Sequence, residues 1–586
     1  MFKKNHRHLQ LPLTSHVDEL PEKLRKRLEN SWAGVFYREF FCRLNEAAFE
    51  GLYVDFPSRP NVPVNVLVGL EYLKAGNGWT DEEMYDAYCY DVQVRYALGY
   101  RQLGEGDFDL RTLYYFRERL SRQMQETGIN LLDQAFEQVT DQQIAAFRLK
   151  TGKQRTPALA AGASVDSTLV ASNIRRMGRV QLLVEVLQRV QRMLNESDQE
   201  RYAAVFAPYL QGHAGQYVYH MKNEETGSHL QRIGGLMQRL LVELKPLYAA
   251  EPVYQMLERV FGEHFQLEQK GVVTKPNQAL SASSLQSPDD LEATYQEKSG
   301  QGYQGYVANL SETCEPQNPL QLITKVQTAP NATDDSQLLA EALPDLKQRT
   351  ELETIYTDGG HGDPAADAVL QEQQVEHIQT AIRGRIPNPE KLHLADFTIK
   401  LNEDSQPVKV TCPQGQTETV HRSSHKKAFV AHFAAEVCST CPLVVNCPAQ
   451  PGKCDPRQHL RFTSVEAHAS ERRRHSQEQR KDGRNLRAAI EATVRSLKHP
   501  FPAGKLPVRG KFRVACLLIG SAAVSNVRCI QHYLQAKSKA EMAQQMAPGA
   551  KKRTQEQARD SFWAFARTTL AALCGLARPK LLAVVC

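Results

Sequence analysis

The sequence reads YQGYVANL at residues 303–310, LQLITKVQT at 320–328 and LETIYT at 352–357. These runs are rich in β-branched and aromatic residues and predict three strands. A helix is predicted at 336–346, between the second and third strands, and a further strand at 377–382. Together with a strand ending near Asp166, the first three of these strands and the helix give the order β-β-β-α-β, which predicts an α/β core with 377–382 as a fifth strand.

The first 150 residues are predicted to be helical. Thr80 and Glu83 form a capping-box pattern that begins one helix. The segment 110–120 has Leu113, Phe116 and Leu120 on one face and Arg111, Arg117 and Arg119 on others. Two interpretations stay open for that segment: a basic helix that enters a DNA groove, or an amphipathic helix that packs against its neighbours.

Helical periodicity returns from about residue 175 to 270 and predicts a helical insertion. One apolar stripe is Leu183, Val186, Leu187, Val190 and Leu194, and another is Leu236, Leu240, Leu241, Leu244 and Leu247. The predicted division of the chain is a helical N-terminal domain with a DNA-binding role (1–150), a core in three parts (151–175, 285–385 and 481–535), the helical insertion (176–284), a cysteine-rich insertion (386–480) and a helical tail (536–586).

Composition narrows the class of protein. The chain has 586 residues and 41% hydrophobic residues, enough for three or four domains. The net charge is only +6, but residues 454–513 are strongly basic. That block suits a polyanion partner or forms a solvated charged face.

No signal-like apolar run begins the chain, and the run 514–524 is shorter than the roughly 20 residues that span a bilayer. It predicts a buried strand or core helix in an intracellular protein without a membrane partner.

Three acids have contexts that suit phosphoryl transfer. Asp166 and Asp358 follow predicted strands, and Glu491 lies on a helix predicted at 483–498. The helix has an apolar stripe of Leu486, Ile490, Val494 and Leu497. Arg487, Glu491 and Lys498 fall within about 40° of one another on an adjacent face. Converging carboxylates hold the two metal ions that clamp a reacting phosphate. Taken singly, an Asp at a strand end is usually a turn or capping residue, and Glu491 is also explained by i, i+4 pairing with Arg487 and Arg495.

Five cysteines lie close together in the sequence, at Cys412, Cys438, Cys441, Cys447 and Cys454. A Cys-x2-Cys pair with two further thiols is typical of a structural zinc site. The predicted ligands are Cys412, Cys438, Cys441 and Cys447, with Cys454 as the alternative to Cys447. The other interpretation is a set of free buried cysteines.

Three motifs in order carry a family resemblance: VDSTLV at 165–170, YTDGGHG at 356–362 and R-x3-E-x6-K at 487–498. Together they resemble the DDE transposases of bacterial insertion sequences, in the group with a Tyr-x2-Arg-x3-Glu-x6-Lys signature. Residues 287–306 resemble the segment leading into that family's second strand. The region 60–120 resembles its N-terminal helical domain.

The resemblance implies an RNase H-like core with a mixed sheet, in which Asp166, Asp358 and Glu491 hold two Mg²⁺ or Mn²⁺ ions. It implies hydrolysis at the transposon ends, followed by attack of the freed 3′-hydroxyl on target DNA. The expected partners are terminal inverted repeats and target DNA, bound by a homodimer in the bacterial cytoplasm, in association with the nucleoid. Arg484, Arg487, Arg495 and Lys498 are the expected DNA contacts.

The sequence departs from the family pattern at two places. Arg484 stands where the signature has tyrosine, which puts the role of that tyrosine in doubt. His361 is unusual in its loop: it either contacts DNA or fills the turn, and the second is the simpler interpretation. The alternative function is a non-catalytic, sequence-specific DNA-binding protein derived from a transposase.

Overall fold

The computed structural model describes residues 1–10, 15–56, 60–156, 169–269, 271–298, 300–379, 388, 390–402, 406–423, 428–452, 455–479, 488–498, 500–501 and 505–546. The helices of this part of the chain are α1 (Glu22–Glu29), α2 (Trp32–Glu39), α3 (Val64–Asn77), α4 (Asp81–Tyr90), α5 (Val92–Ala97), α6 (Arg111–Thr127), α7 (Leu131–Phe147), α8 (Arg179–Met193), α9 (Glu196–Phe206), α10 (Ala214–Tyr219), α11 (Thr226–Tyr248), α12 (Pro252–His264), α13 (Asp335–Thr350), α14 (Pro364–Glu372), α15 (Ala435–Ser439), α16 (Ser464–Gln479), α17 (Ala488–Lys498) and α18 (Lys511–Met546). The strands are β1 (Lys153–Arg155), β2 (Leu169–Ala171), β3 (Phe265–Glu268), β4 (Gly271–Thr274), β5 (Thr294–Lys298), β6 (Gln301–Thr313), β7 (Ile323–Pro330), β8 (Thr354–Thr357), β9 (Glu376–Gln379), β10 (Thr398–Leu401), β11 (Pro407–Thr411), β12 (Thr417–Arg422), β13 (Ala428–Phe433), β14 (Gln450–Pro451) and β15 (Gln458–Thr463).

Among the described residues, the largest sheet is mixed and has seven strands. Its long strand β6 pairs antiparallel with β5 and β7 along one edge and with β1 and β2 along the other. Strand β8 runs parallel to β1, and β9 runs parallel to β8. The prediction of an α/β protein with a mixed sheet is therefore confirmed. The strands predicted at 303–310, 320–328 and 352–357 are β6, β7 and β8. The strand predicted at 377–382 begins as β9 and then leaves the described residues.

Helices cover both faces of this sheet, as the alternation of side chains along β6 requires. Val307 lies in a small core with Leu169, Ala329 and Leu338 of α13. Its neighbours Tyr306 and Ala308 point the other way, into the core that α17 and α18 complete. The sheet is thus the middle layer of three, with α13 and α17 on opposite sides.

Helix α18 fills the centre of the larger core, where it packs against α3, β7, α2 and α7. Its Asn526 side chain bonds both the backbone N–H and the carbonyl of Ile323, at 2.8 and 2.9 Å. By length and composition this helix is apolar enough to cross a membrane, but 67% of its apolar window is buried inside the protein. The apolar run at 514–524 is therefore part of a core helix.

Helices α8 to α12 form a separate apolar core between β2 and β5 in the chain. The stripe predicted along α8 is buried as expected. The stripe predicted along α11 is wrong at one position, because Leu247 is 76% exposed. Tyr248, one residue further along, is buried instead.

Strands β10 to β15 form a six-stranded antiparallel sheet between β9 and α17 in the chain. Phe397, Val410, Phe433, Leu460 and Phe462 fill its core, together with Ala467 of α16. No strands were predicted for this cysteine-rich region. We call residues 394–463 the β-module.

The contacts of Arg117 distinguish between the two interpretations of α6, DNA binding and packing, at that residue. Its guanidinium donates to Glu71 at 2.7 Å and to both carboxylate oxygens of Asp81, which also accepts from Lys74 at 2.6 Å. These ion pairs join α6 to α3 and α4. At Arg117 the packing interpretation therefore holds, and its charge is already neutralised within the domain. Thr80 and Glu83 form the predicted capping box at the start of α4.

The ion pairs of Asp81 make a pH-dependent contribution to stability. Burial alone raises its pKa, but the hydrogen bonds and charges of Arg117 and Lys74 outweigh burial and lower the pKa from 3.8 to about 2. A carboxyl with a lowered pKa stabilises the fold above its unfolded pKa, and that stabilisation is lost as the pH falls towards 2. We expect Asp81→Asn to cost about 2 kcal/mol at pH 6 and progressively less below pH 4, measured by thermal unfolding. The exposed Asp86→Asn on the same helix is the control, and an equal effect of both variants at pH 6 would contradict the assignment.

Candidate active site

Asp358 follows β8 directly and is held in a fixed position. Its Oδ1 accepts the backbone N–H of Gly360 at 2.6 Å and lies 3.3 Å from Nδ1 of His361. Its backbone carbonyl accepts from Nε2 of Gln379 at 2.9 Å. The residue is only 2% exposed, and no described residue donates to Oδ2. The site thus presents a carboxylate with one oxygen anchored and the other uncommitted.

His361 is fully buried beside this carboxylate. Its position fits the interpretation that it fills the turn. The next residue, Gly362, is closely surrounded, because a Cβ there would lie 2.7 Å from Gln379 and 2.9 Å from Nε of Arg472. Arg472 belongs to α16, so this helix packs directly on the Asp358 loop.

A second contact fixes α16 to the same region. Arg472 donates to the carboxylate of Asp367 on α14, and Nδ1 of His468 lies 3.6 Å from the same group. Arg472 is one of the basic residues in the block at 454–513, and its charge is committed to this internal pair. Part of the predicted polyanion surface therefore serves to attach α16 to α14.

Glu491 lies on α17, which packs on the sheet as predicted. Ile490, Val494 and Leu497 of the predicted stripe are buried in the main core, and Leu486 lies outside the described residues. The helical backbone includes Glu491, but its side chain lies outside the described part of the structure.

Two polar contacts attach α17 to specific strands. The hydroxyl of Thr493 lies 3.2 Å from Oε2 of Glu312 on β6. Glu312 in turn pairs with Arg155 of β1 at 3.1 Å, and both side chains are buried. Further along the helix, Nζ of Lys498 donates to the backbone carbonyl of Leu169 at 3.0 Å. Helix α17 therefore lies across β6 and reaches β2.

These contacts connect the elements that carry Asp358 and Glu491 to the same sheet. Asp358 ends β8, the parallel neighbour of β1, and α17 contacts the partner of β1 and the first residue of β2. Asp166 falls between β1 and β2 in the sequence but lies outside the described residues, so its position stays a prediction. The same holds for the expected DNA contacts Arg484 and Arg487.

The two other expected DNA contacts are on α17. Arg495 is exposed on this helix. Lys498 is partly buried and already bonds the carbonyl of Leu169. Of the two side chains, that of Arg495 is the more exposed.

Cys412, Cys438, Cys441 and Cys447 all line one cavity of about 230 Å³ in the β-module. Burial raises the pKa of Cys438, and the neighbouring thiols of Cys447, Cys441 and Cys412 raise it further. No three of the described cysteine sulfurs all lie within 4.8 Å of one another. The sulfurs of a closed zinc site lie closer together than that. Cys454 lies outside the described residues.

One group in the β-module was missed by the sequence analysis. His432, Asp455 and His459 each offer a ligand atom, and the three atoms lie within 4.8 Å of one another. The residues are up to 27 positions apart, and only strand pairing brings His432 and His459 together. Neither histidine belongs to a recognisable sequence motif.

Residues 411–531 match the family model described as Transposase DDE domain. The match covers about a fifth of the chain and includes Glu491 and all four cavity-lining cysteines, but neither Asp166 nor Asp358. It supports a DDE transposase, a class of enzyme that acts on DNA. Neither the curated proteins nor the solved structures contain a match to the chain.

The buried pair of Arg155 and Glu312 gives a direct test of how the sheet and α17 are joined. Glu312→Ala removes the carboxylate that neutralises a buried guanidinium, so we expect a loss of about 3–5 kcal/mol in the free energy of unfolding. Urea unfolding followed by circular dichroism measures it. The control is Glu315→Ala, which breaks the 3.7 Å, partly exposed pair with Lys153 at the ends of the same strands and is expected to cost less than about 1 kcal/mol. Equal losses in the two variants would contradict this account.

Proposed function

We propose that this chain is an insertion-sequence transposase that hydrolyses phosphodiester bonds at the transposon ends and joins the freed 3′-hydroxyl to target DNA. Asp166, Asp358 and Glu491 are the proposed catalytic carboxylates. The observation that carries the proposal is the attachment of α17 to β2 and β6, in the same sheet as β8, which Asp358 directly follows. The family match over 411–531 supports the same class of enzyme.

The order of elements supports an RNase H-like core for this activity. Along the chain, β1 and β2 precede the antiparallel pair β6 and β7, then α13, then β8. The part β6-β7-α13-β8 has the predicted order β-β-α-β. The predicted strand ending near Asp166 lies largely outside the described residues, and β1 was not predicted. Asp358 follows the last of these strands, and Asp166 lies between β1 and β2 in the sequence. In this arrangement the helices α8 to α12 and the β-module are insertions into the core.

The chemistry of Asp358 fits a divalent cation. Hard cations such as Mg²⁺ and Mn²⁺ prefer oxygen ligands, and Asp358 offers a buried carboxylate whose Oδ2 accepts no hydrogen bond from the described residues. Bound divalent ions would activate the attacking oxygen and offset charge on the phosphate. The contribution of the chain is to hold its carboxylates still, and the bonds from Gly360 and Gln379 do this for Asp358.

DNA contacts are proposed for the cations near Glu491. Arg495 projects from α17 into solvent, and Arg484, Arg487 and Lys498 complete the proposed set. Cations beside a catalytic acid hold phosphates and leave the acid to bind metal. The proposed DNA partners are terminal inverted repeats and target DNA, bound by a homodimer associated with the bacterial nucleoid.

A cleavage assay on inverted-repeat DNA separates this function from that of a non-catalytic DNA-binding protein. We expect Asp358→Asn, Asp166→Asn and Glu491→Gln each to lower the Mg²⁺-dependent cleavage rate by at least about a hundredfold, because each removes a carboxylate from the metal site. DNA binding, measured by gel shift, should remain.

The matched control is Glu372→Gln, an exposed acid on α14 near the Asp358 loop, which should cleave at the wild-type rate. Specific DNA binding by the wild type without cleavage in Mg²⁺ or Mn²⁺ would favour the non-catalytic alternative. Cleavage by all three acid variants at the wild-type rate would reject these residues as the catalytic set.

The thiols of Cys412, Cys438, Cys441 and Cys447 are proposed to bind one structural zinc ion. All four face one cavity, and thiolate is a preferred zinc ligand. A tetrahedral site with Zn–S bonds of about 2.3 Å places the sulfurs roughly 3.8 Å apart, so the side chains must rotate inwards to close it. The backbone suits this, because the Cys441 N–H donates to the Cys438 carbonyl at 3.2 Å in a tight turn.

Zinc content tests this assignment. We expect Cys441→Ser to remove one equivalent of zinc per chain and to lower the unfolding temperature, because a structural zinc site contributes directly to folding. Mass spectrometry of the purified protein measures the metal. The exposed Cys42→Ser serves as the control and should retain all bound zinc. Equal zinc content in both variants would support the interpretation as free cysteines.

A further inference from the structure

His432 and His459 face each other across two paired strands. They are direct cross-strand partners in the antiparallel pair β13–β15. Their ring centroids lie 4.4 Å apart, with the ring planes perpendicular. Asp455 lies in the turn that leads into β15, with its Oδ2 3.5 Å from Nε2 of His459. One face of the sheet thus carries two imidazoles and a carboxylate within reach of a common point.

Three ring nitrogens of this group lack a hydrogen-bond partner among the described residues. They are Nδ1 of His432 and both ring nitrogens of His459, and all three are buried. A buried polar atom without a partner costs about 1–3 kcal/mol. A cation bound between the rings would supply partners for one nitrogen of each.

The backbone at Gly452 passes close to the His459 ring. A Cβ on Gly452 would lie 2.7 Å from Nε2 of His459, so any larger residue at position 452 would crowd that nitrogen. The N–H of Gly452 donates to the carbonyl of Arg457 at 3.1 Å and closes the turn over Asp455. Arg457 also donates to the Asp455 carboxylate at 2.8 Å, which holds Asp455 towards the histidines.

This group is distinct from the cysteine cavity. Side chains alternate along a strand, and Phe433, the neighbour of His432, lines the cavity that the thiols share. Leu460, the neighbour of His459, is buried in the same core as Phe433. The histidines therefore lie on the face of the sheet opposite the thiols.

We propose that His432, Asp455 and His459 bind one divalent transition-metal ion of the zinc type on this outer face. Two imidazoles and one carboxylate are a borderline donor set that suits Zn²⁺ and its neighbours, not the hard ions Mg²⁺ and Ca²⁺. Three protein ligands leave a coordination position for water. The bound ion joins the turn before β15 to β13.

Zinc and cobalt binding by the full-length protein test this site. We expect His432→Ala and His459→Ala each to lose one equivalent of zinc per chain, measured by mass spectrometry after equilibration with Zn²⁺ and desalting. The loss should be the same in a Cys441→Ser background, so the result does not depend on the thiol site. Co²⁺ bound to the Cys441→Ser protein should show ligand-field absorption without a thiolate charge-transfer band.

The control is His421→Ala, an exposed histidine on the adjacent strand β12, which should keep the wild-type metal content. Asp455→Asn, a change in a partly exposed turn, should weaken Zn²⁺ binding by about tenfold or more and serves if a histidine variant does not fold. Unchanged zinc content or affinity in these ligand variants would overturn the proposal. An equal loss in His421→Ala would do so too, because it would indicate non-specific binding to surface histidines.

Discussion

Both edges of β6 are occupied, and this constraint organises the sheet. Gly305 pairs with Thr294 of β5 on one edge and with Ala171 of β2 on the other. A side chain there would not fit, because its Cβ would lie 2.3 Å from the carbonyl oxygen of Val170. At the far end of the strand, Glu312 pairs with Arg155 and contacts Thr493. One strand thus fixes β1, β2 and α17 relative to one another, and β1 in turn positions β8.

The sequence predicted elements whose local pattern matches their environment. The β-branched runs became β6, β7 and β8, and the apolar stripe of α17 is buried where it is described. Strand β1 was missed because its residues, Lys153–Arg155, are polar. Gln154 is fully buried, and its amide oxygen accepts from the Thr324 hydroxyl at 2.9 Å. Partners distant in sequence make a polar strand suitable for the interior, and no local pattern reports them.

The two candidate metal sites differ in the same respect: one is visible in the local sequence, and the other depends on contacts between distant residues. The thiols were found because Cys438 and Cys441 have a metal-ligand spacing that is visible in the sequence. The pair of His432 and His459 depends on the register between β13 and β15, which no spacing rule specifies. The prediction for Leu247 was wrong for a related reason: the buried face of α11 continues through Leu244 to Tyr248, and Leu247 lies to one side of it. Periodicity identifies an approximate face of a helix, but tertiary contacts decide which residues at the edge of that face are buried.

The β-module lies in the chain between the strands that position Asp358 and the helix that carries Glu491. It is attached to the core sheet through α16, whose Ala467 packs in the core of the β-module and whose Arg472 packs against Gly362 and bonds Asp367. Only eight residues, 480–487, separate α16 from α17. Metal ions bound on the two faces of the β-module would make it more rigid. Because α16 extends from the β-module to the Asp358 loop and the chain then continues to α17, both helices would be held more rigidly too. The proposed metal sites would then act on the proposed DNA chemistry indirectly, by limiting the motion of Asp358 relative to Glu491.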